Sequence, residues 1–366
     1  MTSKKFLALC VVFALVLGLG LVGCGPEEVE PDPEEPEEEA VSEEPGDMLR
    51  IGYAPATYDP ADYMGQFGAG LYETLAEWGE EGVDYEVITR SPGDHSAHAE
   101  QAAIVDDLIA LDMDYILIHP SDYEGQQGTY ERVMDAGIKL MLTAYSDPFP
   151  EEWGIDQGWA FFGFSHEDGG TVITDWIIDT FPEGAKIGVV HGSPGYVTEV
   201  RTQTDKLEEA GMDIVIEEYG EYARGPSADI AERMLTAHPD LDILLTASSA
   251  IAMGVIEAVE SMRDLGLYDG DVAITGAGGT IEELDAICEG KMAAVWARCP
   301  IQIGMAAANN IIADWEGRDA DVLFTFNAEN VVLTSCEEIS EWAHEVTYHS
   351  VGRTGCPGGH FEFPEN

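Results

Sequence analysis

Residues 98–143 read HAEQAAIVDDLIALDMDYILIHPSDYEGQQGTYERVMDAGIKLMLT. The stretch 98–111 is amphipathic and predicts a helix, whereas Tyr115–His119 and Lys139–Thr143 are short, nearly continuous apolar runs bounded by polar residues. An amphipathic helix leading into an almost wholly apolar strand is the pattern of a parallel sheet covered on both faces. The alternation continues in both directions. Further strands are predicted at Leu49–Ala54, Tyr85–Thr89, Lys186–Val190, Asp213–Glu217, Ile243–Thr246, Val272–Thr275 and Ala293–Ala297, and further helices at 64–78, 168–180, 199–210, 227–237, 250–263 and 300–315. The fold class is therefore α/β, and nine or more strands in one chain indicate two parallel sheets.

In open sheets of this kind ligands collect at the loops leaving the C-terminal ends of the strands. The unusual residues stand there: Tyr58-Asp59-Pro60, His119-Pro120-Ser121-Asp122, Ala144-Tyr145-Ser146, Gly192-Ser193-Pro194-Gly195, Ser248-Ser249 and Gly276-Ala277-Gly278-Gly279. The glycine cluster at 276–279 lacks the GxGxxG spacing of a dinucleotide loop. No CxxC motif and no Cys/His pair at zinc spacing occurs, so neither a metal nor a cofactor is expected.

The charge is extreme. The 366 residues hold 71 Asp+Glu against 16 Lys+Arg, a formal net charge of −55. Such a surface repels nucleic acid and anionic lipid headgroups, which excludes a nucleic-acid partner. Removing the 12 acids and two lysines of residues 1–47 leaves 59 acids against 14 bases, so the remainder still carries −45. Self-repulsion on that scale destabilises a compact state unless salt screens it, and adaptation to a salty environment is the expectation.

Residues 1–23 read as a lipoprotein signal peptide. Lys4 and Lys5 supply the positive end, Phe6 to Leu21 the apolar run, and Leu21-Val22-Gly23-Cys24 a lipobox-like cleavage site that makes Cys24 the lipid-bearing mature N-terminus. Residues 24–47 continue as a Pro- and Glu-rich, disordered acidic linker that holds a folded body away from the membrane. Cys288, Cys299, Cys336 and Cys356 remain, and in an oxidising compartment they allow three pairings. A 336–356 bridge, tying down the Gly-rich C-terminal tail, is the expected one.

Several short motifs occur in a telling order. Leu117-Ile118-His119-Pro120-Ser121-Asp122 resembles an LINPTD turn, Leu235-Thr236-Ala237-His238-Pro239-Asp240 an LLTAHPD segment, and Ala252-Met253-Gly254 a MALGAL helix start. Gly290-Lys291-Met292-Ala293-Ala294, followed by Pro300-Ile301-Gln302-Ile303-Gly304, resembles a GKLAATIAQxPxxxG run. Collinear over roughly 49–333, these resemble the type I periplasmic binding proteins of sugar uptake systems, the ribose-binding branch in particular.

The resemblance implies two Rossmann-like lobes joined by three crossovers, one of 48–164 plus 299–326 and the other of 165–298 plus 327–366, with the ligand in the cleft. It places Arg201 where the family holds sugar hydroxyls and Tyr222 where an aromatic stacks on the sugar. Asp59 and His119 fall on polar cleft positions and Tyr145 on the arginine of an Asp-Arg pair. Four positions depart: an Asn-Asp pair becomes Ser248-Ser249, an aspartate becomes Gly278, the hinge glutamine becomes Arg298, and an aromatic pair becomes Ala61-Asp62. Should Arg201 and Arg298 converge, a ligand with an acidic substituent is expected, because planar guanidinium forks suit carboxylates.

The function so implied is a lipid-anchored extracytoplasmic protein that acts as a monomer and captures a sugar or sugar derivative for an ABC permease. The other reading of the same fold is a sensory module presenting ligand to a receptor kinase or chemoreceptor. No nucleophile–base pair stands in any motif, so no enzyme is expected.

Overall fold

A computed structural model describes residues 48–143, 151, 158–163, 166–194, 197–320, 322–325 and 331–345. The lipobox, the acidic linker, Tyr145 and Cys356 lie outside the described residues.

The first sheet has the order β11-β5-β4-β3-β1-β2, with β1 (Leu49–Pro55), β2 (Tyr85–Thr89), β3 (Tyr115–His119), β4 (Lys139–Thr143), β5 (Ala160–Gly163) and β11 (Leu323–Thr325), all parallel. The second has the order β12-β10-β9-β8-β6-β7, with β6 (Lys186–His191), β7 (Asp213–Tyr219), β8 (Ile243–Thr246), β9 (Ala273–Gly278), β10 (Ala294–Ala297) and β12 (Val332–Leu333). Only the β10–β12 pair is antiparallel. The central strands β3, β4 and β8 are the apolar runs, buried but for Lys139, and the outer strands β2 and β7 are partly exposed. Burial on both faces is why the middle strands read as unbroken hydrophobic stretches.

The chain leaves the first sheet after β5, returns to it after β10, and passes to the second again after β11, which makes three crossovers. The helices that cover the sheets include α1 (Tyr63–Glu80), α2 (His98–Ala110), α3 (Gln127–Asp135), α4 (His166–Thr180), α5 (Val197–Glu209), α6 (Arg224–Ala237), α7 (Ser249–Asp264), α8 (Ile281–Cys288), α9 (Pro300–Trp315) and α10 (Cys336–Glu345). Helix α9 is the return to the first lobe and lies directly on α1. A Cβ at Gly304 would stand 2.0 Å from Phe67 O, so the helix backbones meet with no side chain between them.

A buried amide joins the strands that hold the first lobe's loops. Gln101, fully buried, donates through Nε2 to Ala54 O (2.9 Å) and His119 O (2.8 Å), while its Oε1 accepts from Ser121 N (2.9 Å) and Gln126 Nε2 (2.8 Å). One side chain on α2 thus fixes the ends of β1 and β3, where the strand order reverses.

The disulfide differs from the one expected. Cys336 is bonded to Cys288, not to Cys356. The physical reason is the packing of α10 on α8, which sets the first residue of one helix beside the last residue of the other with 4.7 Å between their Cα atoms. Cys299 is a buried thiol at the start of α9.

Candidate functional site

The loops leaving β1 and β2 on the first lobe face those leaving β7, β8 and β9 on the second across a cavity of about 760 Å3. All spring from C-terminal strand ends beside the strand-order reversal, where ligands of open α/β sheets bind. The two lobes touch across the cleft: the His95 and Tyr222 rings stack with centroids 4.3 Å apart and planes 35° apart.

Tyr222 is held by its backbone. Glu221 and Tyr222 are both in the left-handed region, at φ 52° and 53°, and turn the chain sharply after β7. Gly220 N and Glu221 N donate to His191 O (2.9 Å) and Gly192 O (3.0 Å), which ties the turn to the end of β6. Gly192 is small by necessity, since a Cβ there would sit 1.9 Å from Tyr222 Cζ.

On the opposite wall Asp59 closes a turn by accepting from Ala61 N (2.9 Å). Asp62 is the N-cap of α1, accepting from Gly65 N (2.9 Å) and from Thr57 Oγ1 (3.2 Å). Burial raises the Asp62 carboxyl above its usual range, and those hydrogen bonds oppose the rise. Burial likewise raises Glu221. Asp94 is held low by the Ser96 N–H and hydroxyl, at 2.9 and 2.8 Å. Burial pushes the Tyr58 phenol up to about 12 and drives His95 down to about 3, so at neutral pH His95 is an uncharged aromatic wall.

Ser248 caps α7, accepting from Ile251 N at 3.4 Å. Ser249 lines the cavity and donates to Glu283 Oε2 (2.6 Å), an oxygen that also accepts from Thr280 N (3.0 Å) and Thr280 Oγ1 (3.1 Å). Glu283 is fully buried. It explains the departure at Gly278, where a Cβ would stand 2.0 Å from Ser249 Oγ and 2.7 Å from Glu283 Oε2. A carboxylate presented from α8 occupies the space a side chain on the strand would need.

Asp59, Asp62, Tyr222 and Ser249 therefore line the cavity together, with Ser248 and Gly278 immediately behind. His119 and Arg298 lie deeper, at the hinge, and both are buried. Tyr63 packs against the apolar clusters of both lobes, edge-on to His119 at 5.8 Å. The Arg298 guanidinium sits 5.3 Å from the Tyr63 ring and 4.9 Å from that of Trp296, and donates to Ala277 O. Burial lowers His119 well below the usual histidine range. Arg298 is not part of the cavity wall, which removes one of the two cations on which the expectation of an acidic ligand rested. Arg201 lies on α5, and its side chain is outside the described residues.

Sequence reading missed Asp94, His95, Glu221, Arg224 and Glu282. A signal existed for most of them, because the loops following the predicted strands 85–89 and 213–217 were open to the same inspection as the other strand ends. Among the described residues no group of three or more His, Cys, Asp or Glu side chains is placed to hold a metal ion.

The family model described as "Periplasmic binding protein domain" matches residues 51–319. Among curated relatives, the "Ribose import binding protein RbsB" of Bacillus subtilis is 23% identical over 211 residues, which are 57% of this chain and 65% of that protein. The "D-ribose/D-allose-binding protein" of Pseudomonas aeruginosa is 25% identical over 182 residues, 48% of this chain and 56% of that one. The matches thus span less than two thirds of either relative. Among solved structures, an ABC transporter solute binding protein from Bacillus halodurans with bound myo-inositol aligns with a TM-score of 0.66 and 20% identity, covering 81% of this chain and 97% of its own. Another, from Agrobacterium vitis with bound D-fucose, gives 0.68 at 17% identity, covering 78% and 95%. The matched span takes in every residue that lines the cavity and all the strands but β11 and β12, and this chain belongs to the periplasmic binding protein domain family.

Proposed function

We propose that the protein is an extracytoplasmic solute-binding protein, anchored through lipid on Cys24, that holds a sugar or polyol between its lobes and delivers it to an ABC importer as a monomer. The observation that carries this reading is the cavity itself: hydrogen-bonding groups from both lobes surround a volume suited to a small polar solute, with the Tyr222 ring on one wall. No chemical step is required. Affinity comes from hydrogen bonds made in a cleft that loses water on closure, together with stacking on an aromatic face. The curated relatives are named for ribose and allose, and the solved structures hold myo-inositol and D-fucose, which sets the first panel to try.

The test is a thermal-shift series with pentoses, hexoses, inositols, sugar acids and nucleosides, followed by calorimetry. A ligand at 100 times its Kd adds about 2.7 kcal/mol to the folded state, a shift easily read. A melting temperature unmoved by every sugar and polyol sinks the reading. For the anchor, metabolic labelling with a fatty-acid analogue should mark the wild-type protein and not Cys24→Ser.

A further inference from the structure

The charge of the cavity wall is lopsided. Asp59, Asp62 and Asp94 come from the first lobe and Glu221 and Glu282 from the second, while the one cation in the described lining is Arg224. Arg224 is already engaged, with Glu282 and with Glu257 at 3.3 Å. Arg298 is sequestered at the hinge. Residues 144–150 and 152–157, which lie outside the described set, contain no Lys or Arg. Even if Arg201 reaches the cleft, five carboxylates face two guanidinium groups, one of them shared with Glu257. His98 acts electrostatically on both Asp94 and Glu221, and its Nδ1 lies 2.8 Å from Ser121 Oγ.

Acid is common on this protein, so acid alone is no argument. What separates this wall is position: Asp62, Glu221 and Glu282 are part-buried and Asp59 and Asp94 exposed, but all five border one volume between the lobes, and closing the lobes on a ligand would take water from it. Asp94 and Glu221 line the same cavity from opposite lobes; burial raises the Glu221 carboxyl, His98 lowers it, and the Asp94 charge adds to the rise. Bringing like charges together in a desolvated cleft is unfavourable unless a cation enters with the ligand. Tyr58 and Tyr222 line the same cavity, and aromatic rings attract cations. A bare metal ion fits less well, because no three ligating side chains converge among the described residues.

We infer that the natural ligand of this cleft is cationic, an amine-bearing sugar or cyclitol whose ammonium is held between the carboxylates of the two lobes. The inference rests on the sugar- and polyol-binding reading above and gives that ligand its charge. It reverses the acidic ligand expected from Arg201 and Arg298.

The experiment is calorimetry on the full chain with matched pairs: D-glucose and D-glucosamine, D-galactose and D-galactosamine, an inositol and the corresponding aminodeoxyinositol, each at 0.2 M and 2 M NaCl. The expected result is that at least one amine binds tenfold or more tighter than its neutral parent, and that the preference shrinks at 2 M as the cleft charge is screened. In Asp94→Asn/Glu221→Gln the two members of the pair should approach equal affinity. A neutral parent bound as tightly as its amine, or more tightly, overturns the inference and leaves sugar binding intact. A preference that survives both the double substitution and high salt also overturns it, since the carboxylates would then not be its source. If no member of any pair binds, the inference fails, and the thermal-shift panel of pentoses, hexoses and inositols then shows separately whether sugar and polyol binding fails with it.

Discussion

At the scale of single residues, Tyr222 and His95 are where the two lobes meet across the cleft. Gly192→Ala would drive its new Cβ into the Tyr222 ring. The ring must move, so the variant should lose about 1–3 kcal/mol of stability, as overpacked sites do, and roughly 1 kcal/mol of ligand affinity with the lost stacking. Chemical denaturation and calorimetry read the two effects separately. His95 gives a pH signature of known sign. Its folded-state value, about 3, lies below the ordinary 6.5, so its contribution to stability is present above pH 6.5 and is lost as pH falls toward 3. At pH 5.5 the loss from this one group is about 1.4 kcal/mol. The raised carboxyls of Asp62, Glu221 and Glu283 work in the opposite sense, their contribution growing as pH falls, so the wild-type profile is a composite. The difference between wild type and His95→Asn isolates the histidine, and a difference constant from pH 7.5 to 5 would show that burial does not depress it. Asp59, Asp62, Tyr222 and Ser249 were legible because they flank predicted strand ends or fall on a family motif. The place of Arg298 was not, because its contacts with Tyr63 and Trp296 belong to the hinge and leave no periodicity in the sequence.

At the scale of elements, the sequence pattern located the central strands to within a residue or two, because burial on both faces writes itself as apolar runs. It missed β5, β11 and β12, which have four, three and two residues and are too short for periodicity to register. It missed α3, whose sequence QGTYERVMD is mostly polar, and α8, although Thr280 and Glu283 form a capping box that marks a helix start. It paired Cys336 with the wrong partner because a disulfide depends on which helices pack, and spacing does not record that. The bridge closes a sequence separation of 48 residues. Its removal in Cys288→Ser should cost about 2–4 kcal/mol. Peptide mapping without reductant should return the 288–336 pair, and finding Cys336 joined to Cys356 would refute the packing of α10 on α8. The contact of α9 with α1 makes a second element-scale prediction. Gly304→Ala forces the helices apart against Phe67 O and should lower stability by about 1–3 kcal/mol. Because α9 is the chain's return to the first lobe, the loss should appear in the main unfolding transition and not as local fraying.

At the scale of the molecule, the composition predicts that charge limits the fold. Residues 48–366 hold 59 acids and 14 bases. Ten of those bases, from Arg50 to Arg318, already form ion pairs with carboxylates among the described residues. Most of these pairs are partly exposed, and an exposed pair is worth about 0–1 kcal/mol, so together they leave the bulk of the acid surface uncompensated. What remains is mutual repulsion, present in the folded state at close spacing and relieved when the chain expands. Salt acts on that repulsion directly: the screening length falls from about 10 Å at 0.1 M to about 3 Å at 1 M, shorter than typical spacings between surface carboxylates. The melting temperature should therefore rise steeply from 0.1 to 1 M NaCl and more slowly beyond, where screening is nearly complete. Excluded cosolutes stabilise proteins by a different route, without screening charge. Sucrose should accordingly fail to reproduce the steep portion of the curve, whereas KCl at equal ionic strength should match it. Lowering the pH from 7 toward 5 in 0.1 M salt is the complementary test, because protonating the raised carboxyls removes like charge while the buried histidines oppose the gain. If the melting temperature is flat from 0.1 to 3 M NaCl, repulsion is not what limits this fold, and the acidic surface has no role in its stability in salt.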